Sequence, residues 1–351
     1  MDAFFAAIEE RDHEWLKGKP IVVGADPAKG KGRGVVSTAN YKAREYGIKS
    51  AMPISHAWEL SEEARKKGKP SAEFLSTNFG RYEETSGRIM SLIRANKRIV
   101  EEASIDEAYI DLSHLGSYEQ AIKICKDLKK EILDKERLTC SIGIGPNKLI
   151  AKIASDVKKP DGMTIVKEAD AEAFLEPLPI RKIPGIGPKS EKEFSLLGIK
   201  KVVDLKKLSR EECKKIMGKW GLDLYNKIRG IDESPVTEKY EAKSVGEQET
   251  FEKDTLDSGF ILERLRELCE GVVDRFEALE FASFRTVAIT VRFGDFQTVS
   301  RFRTLEKPAR DFNRLYFEAL RLVAPFLDKR ENPRRKPIRL IGVRIEKLVA
   351  K

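Results

Sequence analysis

From about residue 168 to residue 232 the chain shows no run with strand character, whereas both flanks alternate strand and helix signals. No single sheet can pass through such a gap, so the chain must close more than one core. The length of 351 residues agrees, because one hydrophobic core rarely grows that far.

Before the gap, DAFFAAIEE (2–10) begins a helix with Asp2 near its start, and 19–75 mixes strand runs with a glycine-rich turn and the short helix NYKAREYG. Helical periodicity fills 77–96, and RIVEE and DEAYIDLS then pair as a hairpin around Ala103–Ile105. A helix at 117–136, the strand TCSIGIG and the helix NKLIAKIASDVK lead to a stop at Lys159-Pro160-Asp161-Gly162. Strands and helices alternating around one sheet predict an α/β core. Past the polar stretch ESPVTEKYEAK the order is strand 244–251, helix 255–279, strands 284–293 and 296–305, helix 309–327 and strand 338–346. That βαββαβ order is a self-contained α+β module. The expected fold class is therefore α/β and α+β, multidomain.

Composition limits the chemistry. Cys125, Cys140, Cys213 and Cys269 are scattered without a CxxC pair, which fits reduced buried thiols. The histidines, His13, His56 and His114, lie at no metal-ligand spacing, so any metal must take carboxylate and carbonyl oxygens, as magnesium or manganese does. No apolar run approaches a membrane span and the N-terminus has no signal-peptide pattern, so a soluble cytoplasmic protein is expected. Residues 281–351 hold 17 Lys/Arg against seven Asp/Glu, while residues 1–280 are nearly balanced. One basic end suits a polyanionic partner, although solubility and surface ion pairs explain such a surface as readily.

Four constellations stand out. Asp106 and Glu107 begin the second hairpin strand, where irregular backbone lets neighbouring carboxylates lean toward one point and hold divalent ions on a substrate's phosphates. Tyr41 and Arg44 share a helix face and suit phosphate oxygens, but most such pairs are surface packing. Lys148, Lys152 and Lys159 could add positive charge, though lysines four apart ordinarily form a solvated face. IPGIGPKS has the apolar-x-Gly-apolar-Gly turn of a helix-hairpin-helix, in which Gly185 and Gly187 let backbone N–H groups approach a DNA phosphate and Lys189 opens the next helix. Finally, Arg301 and Arg303 share one strand face with Val299 and can track phosphates; edge-strand protection is the competing explanation.

Taken in order, GVVSTANYKAREYGIKSAMPI, ASIDEAYIDLS, CSIGIGPNKLIAKIASDVKKPDG, IPGIG and KSVGEQETF resemble the Y-family translesion DNA polymerases of the DNA polymerase IV type. The resemblance spans essentially the whole chain. It implies a right-hand polymerase with a palm (1–10 and 76–166), fingers (11–75), a helical thumb carrying the helix-hairpin-helix (167–232), a linker (233–241) and a βαββαβ little finger (242–351). It further implies low-fidelity, template-directed addition of dNTPs to a primer 3′-hydroxyl on damaged DNA with two Mg²⁺ ions, Mn²⁺ being an alternative. Asp106 would be a metal ligand and Glu107 the catalytic carboxylate, with Ser104 preceding them in the Ser-Ile-Asp-Glu motif. Tyr41, Arg44 and Lys159 would hold the triphosphate, with Thr38 nearby, and Phe5 would be the steric gate against a ribose 2′-hydroxyl. Primer-template DNA and dNTP are the implied partners of a monomer. The chain ends RIEKLVAK, which does not match the family's clamp-binding peptide, so a sliding-clamp partner stays open.

One departure matters. Family members normally open with an apolar strand ending in an aspartate just before the residue matching Met1, and this sequence starts just after it. A third metal-binding carboxylate and its strand are thus expected to be missing, and Asp2 points the wrong way to replace it. The sequence then represents an N-terminally shortened active enzyme, which retention of the other site residues favours, or a catalytically impaired DNA-binding protein of the same fold. A nucleotide cyclase sharing the hairpin carboxylates is a third class, disfavoured because a small-molecule enzyme needs no DNA clamp.

Overall fold

The computed structural model describes residues 1–95, 98–238 and 241–350. The expected helix end at 96, linker positions 239 and 240, and position 351 of the expected little finger lie outside the described residues. The chain divides into two compact units, Met1–Lys239 and Tyr240–Lys351.

The first unit opens with helix α1 (Phe4–Asp12), two residues later than the sequence pattern places it, because Ala3 takes a left-handed conformation ahead of it. Strands β1 (Ile21–Gly24), β2 (Val36–Ala39) and β3 (Glu73–Leu75) form one small sheet in the order β2-β1-β3. Helices α2 (Tyr41–Arg44) and α3 (Ile54–Lys66) flank it, and Ile48, Ile54 and Ala57 are buried against Val22, Val36 and Ala39. Helix α4 (Phe79–Arg94), the hairpin of β4 (Ile99–Ser104) and β5 (Glu107–Asp111), and helix α5 (Tyr118–Glu136) enclose a second core. In it Phe4, Ile8, Ile89, Val100, Leu128 and Ile132 are buried, at roughly 1.5–3 kcal/mol for each large side chain. Strands β6 (Ile142–Ile144) and β7 (Met163–Ile165) pair in parallel across helix α6 (Lys148–Ser155).

Two expectations need correcting. The strands do not surround one sheet: among the described residues β4-β5 and β6-β7 are separate ladders beside β2-β1-β3. Residues of β5 and β6 line one cleft instead of bonding to each other. Their apolar runs announced buried strands, but which strand pairs with which is a tertiary matter. The hairpin also turns at Ile105 and Asp106 rather than around 103–105, since a register shift between Glu102 and Ser104 absorbs Ala103 into the strand.

Short helices complete the first unit: α7 (Ala171–Leu175), α8 (Pro188–Leu196), α9 (Val202–Leu205), α10 (Arg210–Met217) and α11 (Lys219–Lys227). In the second unit β8 (Ser244–Thr255), helix α12 (Ser258–Ala278), β9 (Phe281–Phe293), β10 (Thr298–Ala309), helix α13 (Phe312–Leu327) and β11 (Ile338–Glu346) realise the βαββαβ order. The antiparallel sheet runs β10-β9-β11-β8, with a short β12 (Val349–Ala350) added beside β9. From α13, Leu315, Ala319, Val323 and Phe326 are buried at helical spacing against Val287, Ile289 and Val343 of the sheet. The four cysteines are buried free thiols, and no described helix is long and apolar enough to cross a membrane.

Candidate active site

The turn Ile105–Asp106 is held by short-range and long-range bonds. The Ser104 hydroxyl donates to Asp106 Oδ1 at 2.8 Å and accepts the Asp106 N–H at 3.3 Å. The Met1 ammonium donates to the Asp106 carbonyl at 2.6 Å, and the Ser86 hydroxyl donates to the Ile105 carbonyl at 2.6 Å. Asp106 and Glu107 remain half-buried and line a cleft of about 740 Å³ together with Ser141, Lys152 and Lys159.

Helix α6 supplies the cations along that cleft. Asn147 caps it by accepting the Ile150 N–H at 3.0 Å. Lys148 and Lys152 do not form the solvated face that their spacing suggests. Lys148 binds both Glu101 oxygens at 2.7 Å, and Lys152 pairs with Glu107. The helix thus lies over the hairpin and its two lysines meet two hairpin acids. Lys159 bonds Asp156 at 2.8 Å. Burial works to lower the Lys159 ammonium, but Asp156, followed by Asp2 and Glu107, overcomes this and holds it above its ordinary range.

Tyr41 and Arg44 stand together on α2. Asn40 caps α2 through the Ala43 N–H at 3.0 Å, which fixes a helix of only four residues. The Arg44 guanidinium lies 4.7 Å from the Tyr41 ring centroid, and its Nε donates to the Ala39 carbonyl at 2.9 Å. The Tyr41 hydroxyl is buried, and no well-formed hydrogen bond reaches it among the described residues. Burial first, then the charge of Asp2, raises the Tyr41 phenol above its usual range, while Arg44 and Lys159 pull it back. Lys159 and Asp2 thus lie near enough to Tyr41 for their charges to act on its phenol. Thr38 lies on β2 beside them, opposite Val23.

Asp2 is buried and fully engaged: it accepts from the Ser141 hydroxyl and the Asp161 N–H, both at 2.8 Å. Phe5 sits in an aromatic group, stacked on Tyr82 with centroids 4.2 Å apart and edge-on to Phe79 at 6.0 Å. Sequence reading missed Ser86, Phe79 and Tyr82, and discounted Lys152. Nothing local marks a helical serine or lysine as bound to a distant turn.

The glycine turn stands apart, in the helical part of the first unit. Gly185 has φ 99° and faces the Trp220 ring so closely that a Cβ would collide with it. Gly187, the N-cap of α8, faces open space, and Lys189 is exposed in the first turn. The element before it is a single 3₁₀ turn, Ile180–Lys182, rather than a full helix.

In the second unit, Arg301 and Arg303 do share a face with Val299, but it is the face on which α12 and α13 pack. Arg301 binds Glu331 at 2.8 Å and 3.1 Å, and Arg303 lies 3.6 Å from the fully buried Glu318. β10 is also an end strand of the sheet, so the edge-strand explanation keeps its force. The opposite face aligns Ser300, Phe302 and Thr304 with Thr290, Ala288 and Thr286, and carries Arg344. Phe302 is 73% exposed there.

Comparison with known proteins gives a consistent picture. The model of the impB/mucB/samB family matches residues 1–156, that of its C-terminal domain 242–351, and the IMS family HHH motif 168–199. The chain is similar to "DNA polymerase IV" of Methanoculleus marisnigri, 40% identical over 99% of this chain and 92% of the relative. It is also similar to "DNA polymerase IV" of Staphylococcus aureus strain Newman, 40% identical over 99% and 93%. Among solved structures, the "Y-family DNA polymerase chimera Dbh-Dpo4(243-245)-Dbh" superposes with a TM-score of 0.87 at 31% identity, covering 100% of this chain and 98% of that one. The "Insertion ternary complex of Dbh DNA polymerase" matches with a TM-score of 0.68 at 30% identity, with the same coverage.

Proposed function

This chain belongs to the impB/mucB/samB family, and from that premise we propose that it is a low-fidelity, template-directed DNA polymerase for translesion synthesis. The observation that carries the proposal is one cleft that Asp106, Glu107, Lys152 and Lys159 line together. Acids and phosphate-binding cations side by side suit phosphoryl transfer, in which positioning and electrostatics supply most of the catalysis.

The donors fit magnesium. Among the described residues no three His, Cys, Asp or Glu converge into a closed cage. Magnesium is commonly held by one or two carboxylates completed by substrate phosphates and water, and Asp106 with Glu107 is such a pair. Two ions bound there with a dNTP would neutralise its phosphates and acidify the primer 3′-hydroxyl. The protein's own tasks are then distinct. Asp106 and Glu107 offer oxygens at the turn. Lys159, Arg44 and the unspent Tyr41 hydroxyl receive the triphosphate oxygens, with Thr38 alongside, and Phe5 blocks a 2′-hydroxyl.

In this reading residues 1–10 and 76–166 are the palm, 11–75 the fingers, 167–232 the thumb, 233–241 the linker and 242–351 the little finger. Primer-template DNA meets the backbone N–H groups at Gly185 and Gly187, and Lys189. In the little finger it meets Arg344 and the exposed edge of Arg301, whereas Arg303 is engaged by the buried Glu318.

The test is primer extension on undamaged and abasic templates with Mg²⁺ and dNTPs. The chain should extend the primer, and Asp106→Ala should lose about a thousandfold or more in rate, the several kcal/mol of a displaced metal. Equal extension by Asp106→Ala would remove the site assignment. The two-carboxylate donor set and the engagement of Glu107 by Lys152 favour one other reading, a DNA-binding protein without catalysis. Salt-sensitive primer-template binding with no Mg²⁺-dependent incorporation would establish it.

A further inference from the structure

We propose that Ser86 is a positioning residue that transmits the placement of α4 to the Asp106 carboxylate. The inference rests on the polymerase reading, because it assumes that Asp106 holds the metal. Serines inside helices commonly point to solvent or turn their hydroxyl back onto the carbonyl four residues earlier. Two helical serines of this chain do the latter: Ser91 bonds the Gly87 carbonyl and Ser195 the Glu191 carbonyl, each at 2.8 Å. Ser86, buried in the middle of α4, spends its hydroxyl on the Ile105 carbonyl at 2.6 Å instead.

That carbonyl belongs to the two-residue turn that presents Asp106. The remaining bonds at the turn are local or come from the chain's first residue. Ser104 bonds Asp106 two positions away, and Met1 bonds the Asp106 carbonyl. Ser86 alone among these ties the turn to a helix that is itself anchored. Tyr82 of α4 donates to Glu9 of α1 at 2.6 Å, and Arg88 binds Glu136 of α5 at 2.7 Å and 2.9 Å. Arg94 of α4 also pairs with Glu102 on β4, but Ser86 is the side chain of α4 that bonds the turn itself. A displacement of about 1 Å at a reacting group can cost on the order of a hundredfold in rate.

The test uses Ser86→Ala and Ser86→Thr in the full chain. Alanine is the best helix former, so the first variant keeps α4 intact. Threonine restores the hydroxyl at a position that borders a groove of about 390 Å³ with Gly87 and Met90. Two readouts are taken on a primer-template complex: the single-turnover rate, and Mn²⁺ affinity by electron paramagnetic resonance with a non-hydrolysable dNTP. For Ser86→Ala we expect a rate loss of roughly 10- to 100-fold, Mn²⁺ binding weakened several-fold, and DNA and dNTP dissociation constants within about twofold. Ser86→Thr should recover both. Unchanged Mn²⁺ affinity in Ser86→Ala, or a rate loss matched by weaker DNA and dNTP binding, overturns the inference. A wild-type chain that binds Mn²⁺ but extends no primer overturns the polymerase reading instead, and the Mn²⁺ comparison still decides the role of Ser86.

Discussion

A steric gate discriminates only as well as it is held, and Phe5, proposed above for that role, is held on two sides. Tyr82 stacks against its face and Phe79 meets it edge-on, and such aromatic contacts add about 0.5–1.5 kcal/mol beyond burial. Tyr82 is fixed in turn. Burial, and then the hydrogen bond to Glu9, push its phenol well above the ordinary range, so it remains a neutral donor. Under the polymerase reading, Phe5→Ala opens the space that a ribose 2′-hydroxyl needs. The ratio of kcat/KM for dNTP over rNTP should fall by roughly 10- to 100-fold, the range available to a steric pocket. An unchanged ratio would remove Phe5 from the gate. The aromatic character of Phe5 was legible in DAFFAAIEE, but its two partners were not, because Phe79 and Tyr82 lie more than 70 residues along the chain.

At the scale of elements, α1, α4 and α5 are joined by charge as well as by apolar packing. Arg11 binds Asp12 at 2.7 Å and 3.1 Å, Arg81 binds Asp12 from α4, and Glu136 of α5 receives Arg88 and Arg11. Burial alone would raise the Asp12 carboxyl, but the hydrogen bonds from Arg11 and Arg81 win and hold it down to about 2. A depressed carboxyl stabilises the fold above the usual carboxylate range, and that contribution disappears as pH falls toward about 2. Asp12→Asn should therefore cost about 1 kcal/mol at pH 7, as expected for a well-formed but partly solvated pair. The difference from wild type should shrink as denaturant unfolding is repeated at progressively lower pH. A constant difference would show that the charge of Asp12 contributes nothing. Hydrophobic periodicity located these three helices, but it carries no record of which ends meet.

Over the whole molecule, the basic excess of residues 281–351 looked like a phosphate-binding surface, yet its arginines differ in what they can give up. Arg303 and Arg314, the latter at 2.9 Å, flank Glu318, which is fully buried. Removing a partner from a buried charge costs about 3–5 kcal/mol when none remains, and less here because Arg314 stays. Arg344 pairs with Glu346 on the exposed opposite face at 2.6 Å, an arrangement worth about 0–1 kcal/mol and easily exchanged for a phosphate. Arg344→Ala should lower the slope of log affinity against log salt for primer-template by about 0.9 and leave thermal stability unchanged. Arg303→Ala should lower the unfolding midpoint with little change in slope. The reverse pattern would return the phosphate contacts to Arg303.

What the sequence alone determined is local. The hairpin with its paired acids, the Tyr41–Arg44 helix face, the glycine turn at 185–187 and the βαββαβ order, down to the last long strand at 338–346, are written in periodicity and turn chemistry over a few residues. What only the tertiary structure decided are the meetings between distant segments. Lys152 reaches Glu107, Ser86 reaches Ile105, Arg303 turns toward Glu318, and β5 and β6 face a shared cleft without pairing. A serine or lysine on a helix looks the same in sequence whether it meets water or a distant hairpin. Its partner is set by how helices and strands pack, and packing is a property of the closed core.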